Sequence, residues 1–282
     1  MEITERELRT ADLAGCVALS GSAGWNQNEA DWRLMLEIGQ GWGLFLPDGT
    51  LAASTVVLPY GARFAWLSMV LVLPAQRRKG HATRLLRLAI DELRRGGVSP
   101  VLDATPAGRE VYLQQGFRET WTFSRLQSNA PWAPANESVD GVRPRAASDW
   151  PSILALDATA FGASRERLLR SLAARLPEAA LVAERDGRIV GYLLGREGRE
   201  ACQLGPLVAA DERAARALLA SGLGRVAPPL YLDVVDHAPG LRRWLEARGF
   251  VFQRAFTRMV RGLDRAPGDE RTLFLVAGPE LG

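Results

Sequence analysis

One short segment combines residue types that suit a single kind of chemistry. An apolar run ends at Val70-Leu71-Val72-Leu73-Pro74, three cations follow as Arg77-Arg78-Lys79, and Gly80-His81-Ala82-Thr83 opens a helical pattern. A helix start presents N–H groups that have no partner inside the helix, together with a partial positive charge. The adjacent cations add to that charge, and the small Gly80 and Ala82 leave room for a ligand to approach the main chain. The combination is a cradle for a pyrophosphate.

Other chemistries are short of residues. The chain has two cysteines, Cys16 and Cys202, and two histidines, His81 and His237, with no spacing for structural zinc and no disulfide framework. No metal is expected. Lys79 is the single lysine and follows Arg78, outside any Gly-Lys-Ser/Thr context, which excludes a phosphate-loop nucleotide hydrolase. With 35 basic against 32 acidic side chains, the net charge of +3 is no footprint for nucleic acid or an anionic membrane. The longest apolar stretch, Phe64 to Leu73, is broken by Ser68 and falls short of the ~20 residues of a membrane helix. The opening residues are charged and lack the apolar centre of a signal peptide, so the expectation is a cytoplasmic protein.

The elements that must position the cradle are written twice. Gly116-Phe117 and Gly249-Phe250 stand 133 residues apart, as do Ala82-Thr83-Arg84-Leu85-Leu86 and Ala215-Arg216-Ala217-Leu218-Leu219. The turns Asp48-Gly49 and Asp186-Gly187 are 138 apart, the drift expected of a short deletion. Between the copies, residues 127–141 are polar, contain proline and lack periodicity, as a linker does. In the first copy, helices are predicted over Asp12 to Leu19 and Glu29 to Ile38, then a hairpin of Gly43–Leu46 and Leu51–Leu58 around Asp48-Gly49. Phe64–Leu73, apolar without alternation, reads as a central strand. Leu85, Leu86, Ala89 and Leu93 form the inner stripe of a helix ending at Gly96-Gly97. A strand over Val98–Leu102, a helix capped by Thr105-Pro106 and a closing strand over Phe117–Leu126 complete an α/β unit.

These residues carry a family resemblance. Arg77-x-x-Gly80-x-Ala82 after Val70-Leu71-Val72-Leu73-Pro74, followed by Leu102-Asp103-Ala104-Thr105-Pro106-Ala107-Gly108 and Tyr112-x-x-x-Gly116-Phe117, resembles the signature of the GNAT N-acetyltransferases, in tandem-domain form. The resemblance implies two GNAT-like domains, each a mixed, mainly antiparallel twisted sheet flanked by helices: a catalytic one over 1–126 and a degenerate one over 142–282 with a C-terminal tail. It implies acetyl-CoA as co-substrate. The backbone of Met69, Val70, Leu71 and Val72 would pair with the pantetheine arm, and Arg77, Arg78, Lys79, Gly80, His81, Ala82 and Thr83 would hold the pyrophosphate. It gives Tyr112 the role of protonating the departing thiolate, for which a phenol of pKa ~10 is a plausible donor. The segment after Asp103 lacks an asparagine common in such proteins, leaving Arg109 as a candidate there.

The acceptor implied is a small-molecule amine or amino-acid-like compound, met by Trp25, Gln27, Glu29 and Asp31, with Trp32 as readily a core residue. No residue stands out as a general base. The other readings are a CoA-binding regulatory protein without turnover and a transferase of a longer acyl group such as succinyl. In the second copy the cradle becomes Ala210-Asp211-Glu212-Arg213 and Tyr112 becomes Leu245, so no phosphate site is expected there. Asp233, Asp236 and His237 stand at the edge where the first copy carries its chemistry; they either line an acceptor pocket or, for Asp236 and His237, cap a helix and face solvent. Gly222-x-Gly224-x-x-Ala227 follows a helix rather than a strand and is no dinucleotide fingerprint. The sequence leaves the oligomeric state open.

Overall fold

A computed structural model describes residues 3–132 and 139–282. The first copy runs β1 (Thr4–Glu7), α1 (Leu13–Ser22), α2 (Glu29–Ile38), β2 (Gln40–Phe45), β3 (Leu51–Tyr60), β4 (Phe64–Val72), α3 (His81–Arg95), β5 (Ser99–Ala104), α4 (Pro106–Gln114) and β6 (Arg118–Ser128). The second repeats this order as β7 (Val142–Pro144), α5 (Trp150–Phe161), α6 (Glu166–Arg175), β8 (Leu181–Arg185), β9 (Arg188–Arg196), β10 (Cys202–Ala209), α7 (Glu212–Leu223), β11 (Leu230–Val235), α8 (Pro239–Glu246) and β12 (Val251–Val260). One strand, β13 (Leu273–Leu275), has no counterpart in the first copy.

Local sequence chemistry explains most boundaries. Helix α2 starts at a reciprocal capping box, in which Asn28 accepts from the Asp31 amide at 3.1 Å and Asp31 accepts from the Asn28 amide at 3.0 Å. Thr105 caps α4 by accepting from the Gly108 amide at 3.2 Å, with Pro106 in the first turn. The apolar stripe of α3 buries Leu85, Leu86, Ala89, Ile90 and Leu93 against the sheet. The two aspartate-glycine turns join β2 to β3 and β8 to β9, with Gly49 and Gly187 at φ +86° and +71°. No helix among the described residues is long and apolar enough to cross a membrane.

The thirteen strands of the described residues join one mixed sheet, in the order β1-β2-β3-β4-β5-β12-β6-β11-β13-β10-β9-β8-β7. That order corrects the expected closure of the first copy. β6 does not return to β5; it pairs antiparallel with β11, while β12 crosses back to pair with β5. The copies exchange their closing strands, and β6 and β12 lie antiparallel at the centre with Phe123 stacked on Phe256 at 4.9 Å. Two closing strands of the same pattern satisfy either edge, so periodicity cannot assign the partner. The expected linker also shortens: Gln127 and Ser128 belong to β6, and residues 133–138 lie outside the described residues.

Candidate active site

β4 and β5 run parallel for three paired positions, Phe64 with Ser99 to Trp66 with Val101, and then separate. On its other side β4 bulges, because Ser54 pairs with Leu71 and Val56 with Ser68, leaving Met69 and Val70 opposite Thr55 alone. Met69 takes φ +51°, and the Ser54 hydroxyl fixes the bulge by donating to the Met69 carbonyl at 2.7 Å. Beyond Trp66 the main chain of β4 has no strand partner toward β5 among the described residues, and a cleft opens in the gap. Leu67, Ser68, Met69, Val70, Asp103, Thr105 and Tyr112 line it from the first copy.

The segment expected to cradle a pyrophosphate lies at the start of α3. Gly80 is the residue before the first turn and sits at φ +83°, with no heavy atom within 4 Å of where a side chain would project. Arg78 is also left-handed, at φ +62°. No side chain caps the helix, and Arg77, Arg78 and Lys79 are exposed. Arg77 reaches back to the Val72 carbonyl at 3.3 Å and Lys79 to Gln76 at 2.9 Å. His81, Ala82 and Thr83 follow, half-buried, with His81 Nε2 enclosed and unpartnered. The features that suit a pyrophosphate are therefore contiguous with the open edge of β4 that suits an extended arm.

The second copy departs from this arrangement twice. Asp211 caps α7 by accepting from the Ala214 amide at 2.8 Å and also pairs with Arg185, so a carboxylate covers the helix start. β10 and β11 splay after Leu204 and Leu232 just as β4 and β5 do, but β13 fills the gap: Leu275 pairs with Leu207 on one side and Val234 on the other. The Val276 amide then donates to the Asp233 carbonyl at 3.1 Å. A strand of this chain occupies the place that is open in the first copy.

The side of the cleft expected to meet an acceptor is built by both copies. Trp25 and Gln27 line it, on a loop fastened to the second copy by Asn26, which accepts from the Glu200 and Ala201 amides at 2.8 and 3.0 Å and donates to the Ala201 carbonyl at 3.0 Å. Glu29 is not brought to the cleft; it pairs at the surface with Arg33. Asp31 is fully buried in a bridge between copies, accepting from Arg175 and Arg196 at 2.8 Å each. Trp32 is core, donating to Ser20 at 3.1 Å. Arg109 turns away to pair with Glu110 and Glu119.

Several lining residues come from the second copy: Tyr231, Gln253, Arg254, Phe256, Pro279 and Glu280. Arg125 on β6 joins them and is held in a bidentate pair with Asp233 at 2.8 and 2.7 Å, with Gln203 donating to the same carboxylate at 2.6 Å. Asp233 thus supports the first copy's cleft, while His237 meets the Glu270 carbonyl at 2.8 Å and Asp236 accepts from Ser124 at 2.9 Å. Asp103 is bidentate with Arg258 at 2.9 Å, and Arg258 lies between the Trp66 and Trp121 rings. Burial pushes the Asp103 carboxyl up against the opposing pull of Arg258. Tyr112 packs edge-on to Phe117 with its ring under Gly108, and burial pushes its phenol up to about 12. The signal that sequence reading passed over is the apolar run Leu273–Val276 ahead of Gly278-Pro279-Glu280, a strand pattern followed by a turn.

Comparison with known proteins agrees with the duplicated fold. Residues 15–117 match the model described as acetyltransferase (GNAT) family, and residues 153–275 that of an acetyltransferase (GNAT) domain. The chain is 22% identical over 246 residues to the uncharacterized N-acetyltransferase YitH of Bacillus subtilis strain 168, covering 86% of each. Among solved structures it resembles a candidate acetyltransferase from Pyrococcus horikoshii, with a TM-score of 0.82, 20% identity and coverage of 99% of this chain and 96% of that one. A tandem GNAT protein from the clavulanic acid biosynthesis pathway is also similar, with a TM-score of 0.58, 14% identity and 92% and 98% coverage.

Proposed function

Because this chain belongs to the GNAT acetyltransferases and carries two such domains in tandem, we propose that its first copy is an acetyl-CoA-dependent N-acetyltransferase site for a small amine acceptor. The observation that carries this reading is the contrast between the two splayed strand pairs, one open above a basic helix start and the other closed by β13 and Asp211. Acetyl-CoA, when bound, supplies an acetyl group activated as a thioester. The unpaired main chain of Met69 to Val72 would hold its pantetheine arm, and the amides at Gly80 to Thr83 with Arg77, Arg78 and Lys79 its pyrophosphate.

The acceptor amine enters from the opposite side, past Trp25 and Gln27. With both reactants in one cleft, the amine would attack the thioester carbonyl directly and displace the thiol. Tyr112 lines that cleft as a neutral phenol and would hold the proton that the departing thiol receives.

Calorimetric titration of acetyl-CoA, paired with a thiol-release assay over a panel of primary amines, tests the reading. One site per chain, lost in an Arg77→Glu/Lys79→Glu variant, together with amine-dependent thiol release, is the expected result. Two sites per chain would contradict the closed second copy. Binding without thiol release for any amine would leave a CoA-binding protein in place of an enzyme.

A further inference from the structure

The polar groups of the cleft that find no partner describe the molecule that would complete them. Gln27 and Glu280 are each 2% exposed, and Gln27 Oε1 and Glu280 Oε2 are both enclosed with no hydrogen-bond partner among the described residues. The other oxygen of Glu280 is committed to Arg196. Two enclosed acceptors on the wall of one cleft call for a donor with several N–H groups, since an unpartnered buried polar group is costly. An ammonium meets that description.

Arg254 is the complementary case. It lies on β12 within the same cleft, half-buried, and its side chain makes no ion pair or hydrogen bond among the described residues. Its neighbour across the strands, Arg125, is already committed to Asp233. Burial acts most against the charged form of Arg254 and the Arg125 charge adds to it, outweighing the opposing pull of Tyr231 and Asp233, so an anion placed there is stabilising. A planar guanidinium matches a carboxylate through paired N–H donors.

Resting on the acyltransferase reading above, we infer that the acceptor is a zwitterion: a primary amine whose ammonium faces Gln27 and Glu280 and whose own carboxylate is held by Arg254. Trp25, Tyr231 and Phe256 then flank the remainder of the molecule. Selection of the acceptor falls to the second copy, which supplies Arg254 and Glu280 although its own strand gap is filled.

The test compares phenylalanine and methionine with their carboxamides, with phenethylamine and with 2-aminoethylphosphonate. Each is assayed by thiol release and, independently of turnover, by calorimetric titration into the protein loaded with CoA. Wild type should prefer the amino acids to the carboxamides by about 10- to 100-fold in kcat/KM and in affinity, the range expected for a hydrogen-bonded charge. Arg254→Gln should collapse that ratio, chiefly through KM. A preference for the phosphonate would keep the anion site but move its partner from carboxylate to phosphate chemistry, overturning the carboxylate assignment. Equal use of acids and amides, or a ratio unchanged in Arg254→Gln, would overturn the inference. If thiol release fails with every amine, the acyltransferase reading falls, and the binding ratio still decides this one.

Discussion

Tyr112 carries the only proton-donor role assigned to a single side chain, and its surroundings fix how that role would show itself. Burial favours the neutral phenol and pushes its pKa up to about 12. The sign follows directly: the proton stays on the oxygen throughout the neutral range, and Tyr112 contributes no alkaline limb to kcat below about pH 11. Tyr112→Phe keeps the ring against Phe117 and removes only the hydroxyl, so acetyl-CoA affinity should persist while kcat falls by roughly 100-fold, the lower end of a general acid's contribution. Pre-steady-state thiol release and calorimetry on the same variant separate the two effects. An unchanged kcat would remove Tyr112 from the chemistry.

Among elements, the duplication reaches details that periodicity does not display. In the first copy, Arg6 of β1 pairs with Asp12 at 2.7 Å while Asp12 accepts from the Arg9 amide at 2.9 Å. In the second, Arg143 of β7 pairs with Asp149 at 2.7 Å while Asp149 accepts from the Ala146 amide at the same distance. Each clasp ties an edge strand to the helix that follows, and each holds its aspartate below the usual carboxylate range, the arginine being the main cause. A lowered folded pKa gives stability that is present above the unfolded value near 3.8 and lost as pH falls through the folded one. Urea midpoints should therefore drop below about pH 4, and the Asp12→Asn/Asp149→Asn double variant should show a shallower drop; an identical acid profile would discard the clasps as its origin. β1 itself, Thr-Glu-Arg-Glu with every residue exposed, carries no apolar signal and was invisible as a strand. The run of Gly80 and three cations, by contrast, was legible because it is local to one helix start, and α2 because its apolar residues recur at three- and four-residue spacing, while the Asn28–Asp31 capping box went unread. Arg254 and Glu280 were not legible, since their place in the cleft depends on an exchanged strand and on β13, both set by pairing between distant segments.

At the scale of the whole molecule, the exchange makes the copies mutually dependent. β5 has β12 as its neighbour and β11 has β6, so neither copy completes its sheet alone. Buried ion pairs cross the same boundary: Asp31 with Arg175 and Arg196, Arg125 with Asp233, and Asp103 with Arg258. The sheet runs unbroken across this boundary, so partial opening along it would break strand pairing at its centre, and unfolding is expected to be a single event. Ligand linkage exposes this without mutation. A ligand that binds only the native state adds about 2.7 kcal/mol at a concentration 100 times its Kd. If the first copy could unfold independently, acetyl-CoA would raise protection of its amides alone. With a shared opening, the most protected amides of β9 and β10, far from the cradle, should gain the same increment as those of β3 and β4. Native-state hydrogen exchange with and without saturating acetyl-CoA reads both sets at once. Equal slowing, about 100-fold in each, is the outcome the exchanged strands require, and slowing confined to β3 and β4 would mean that the strand exchange does not couple the copies.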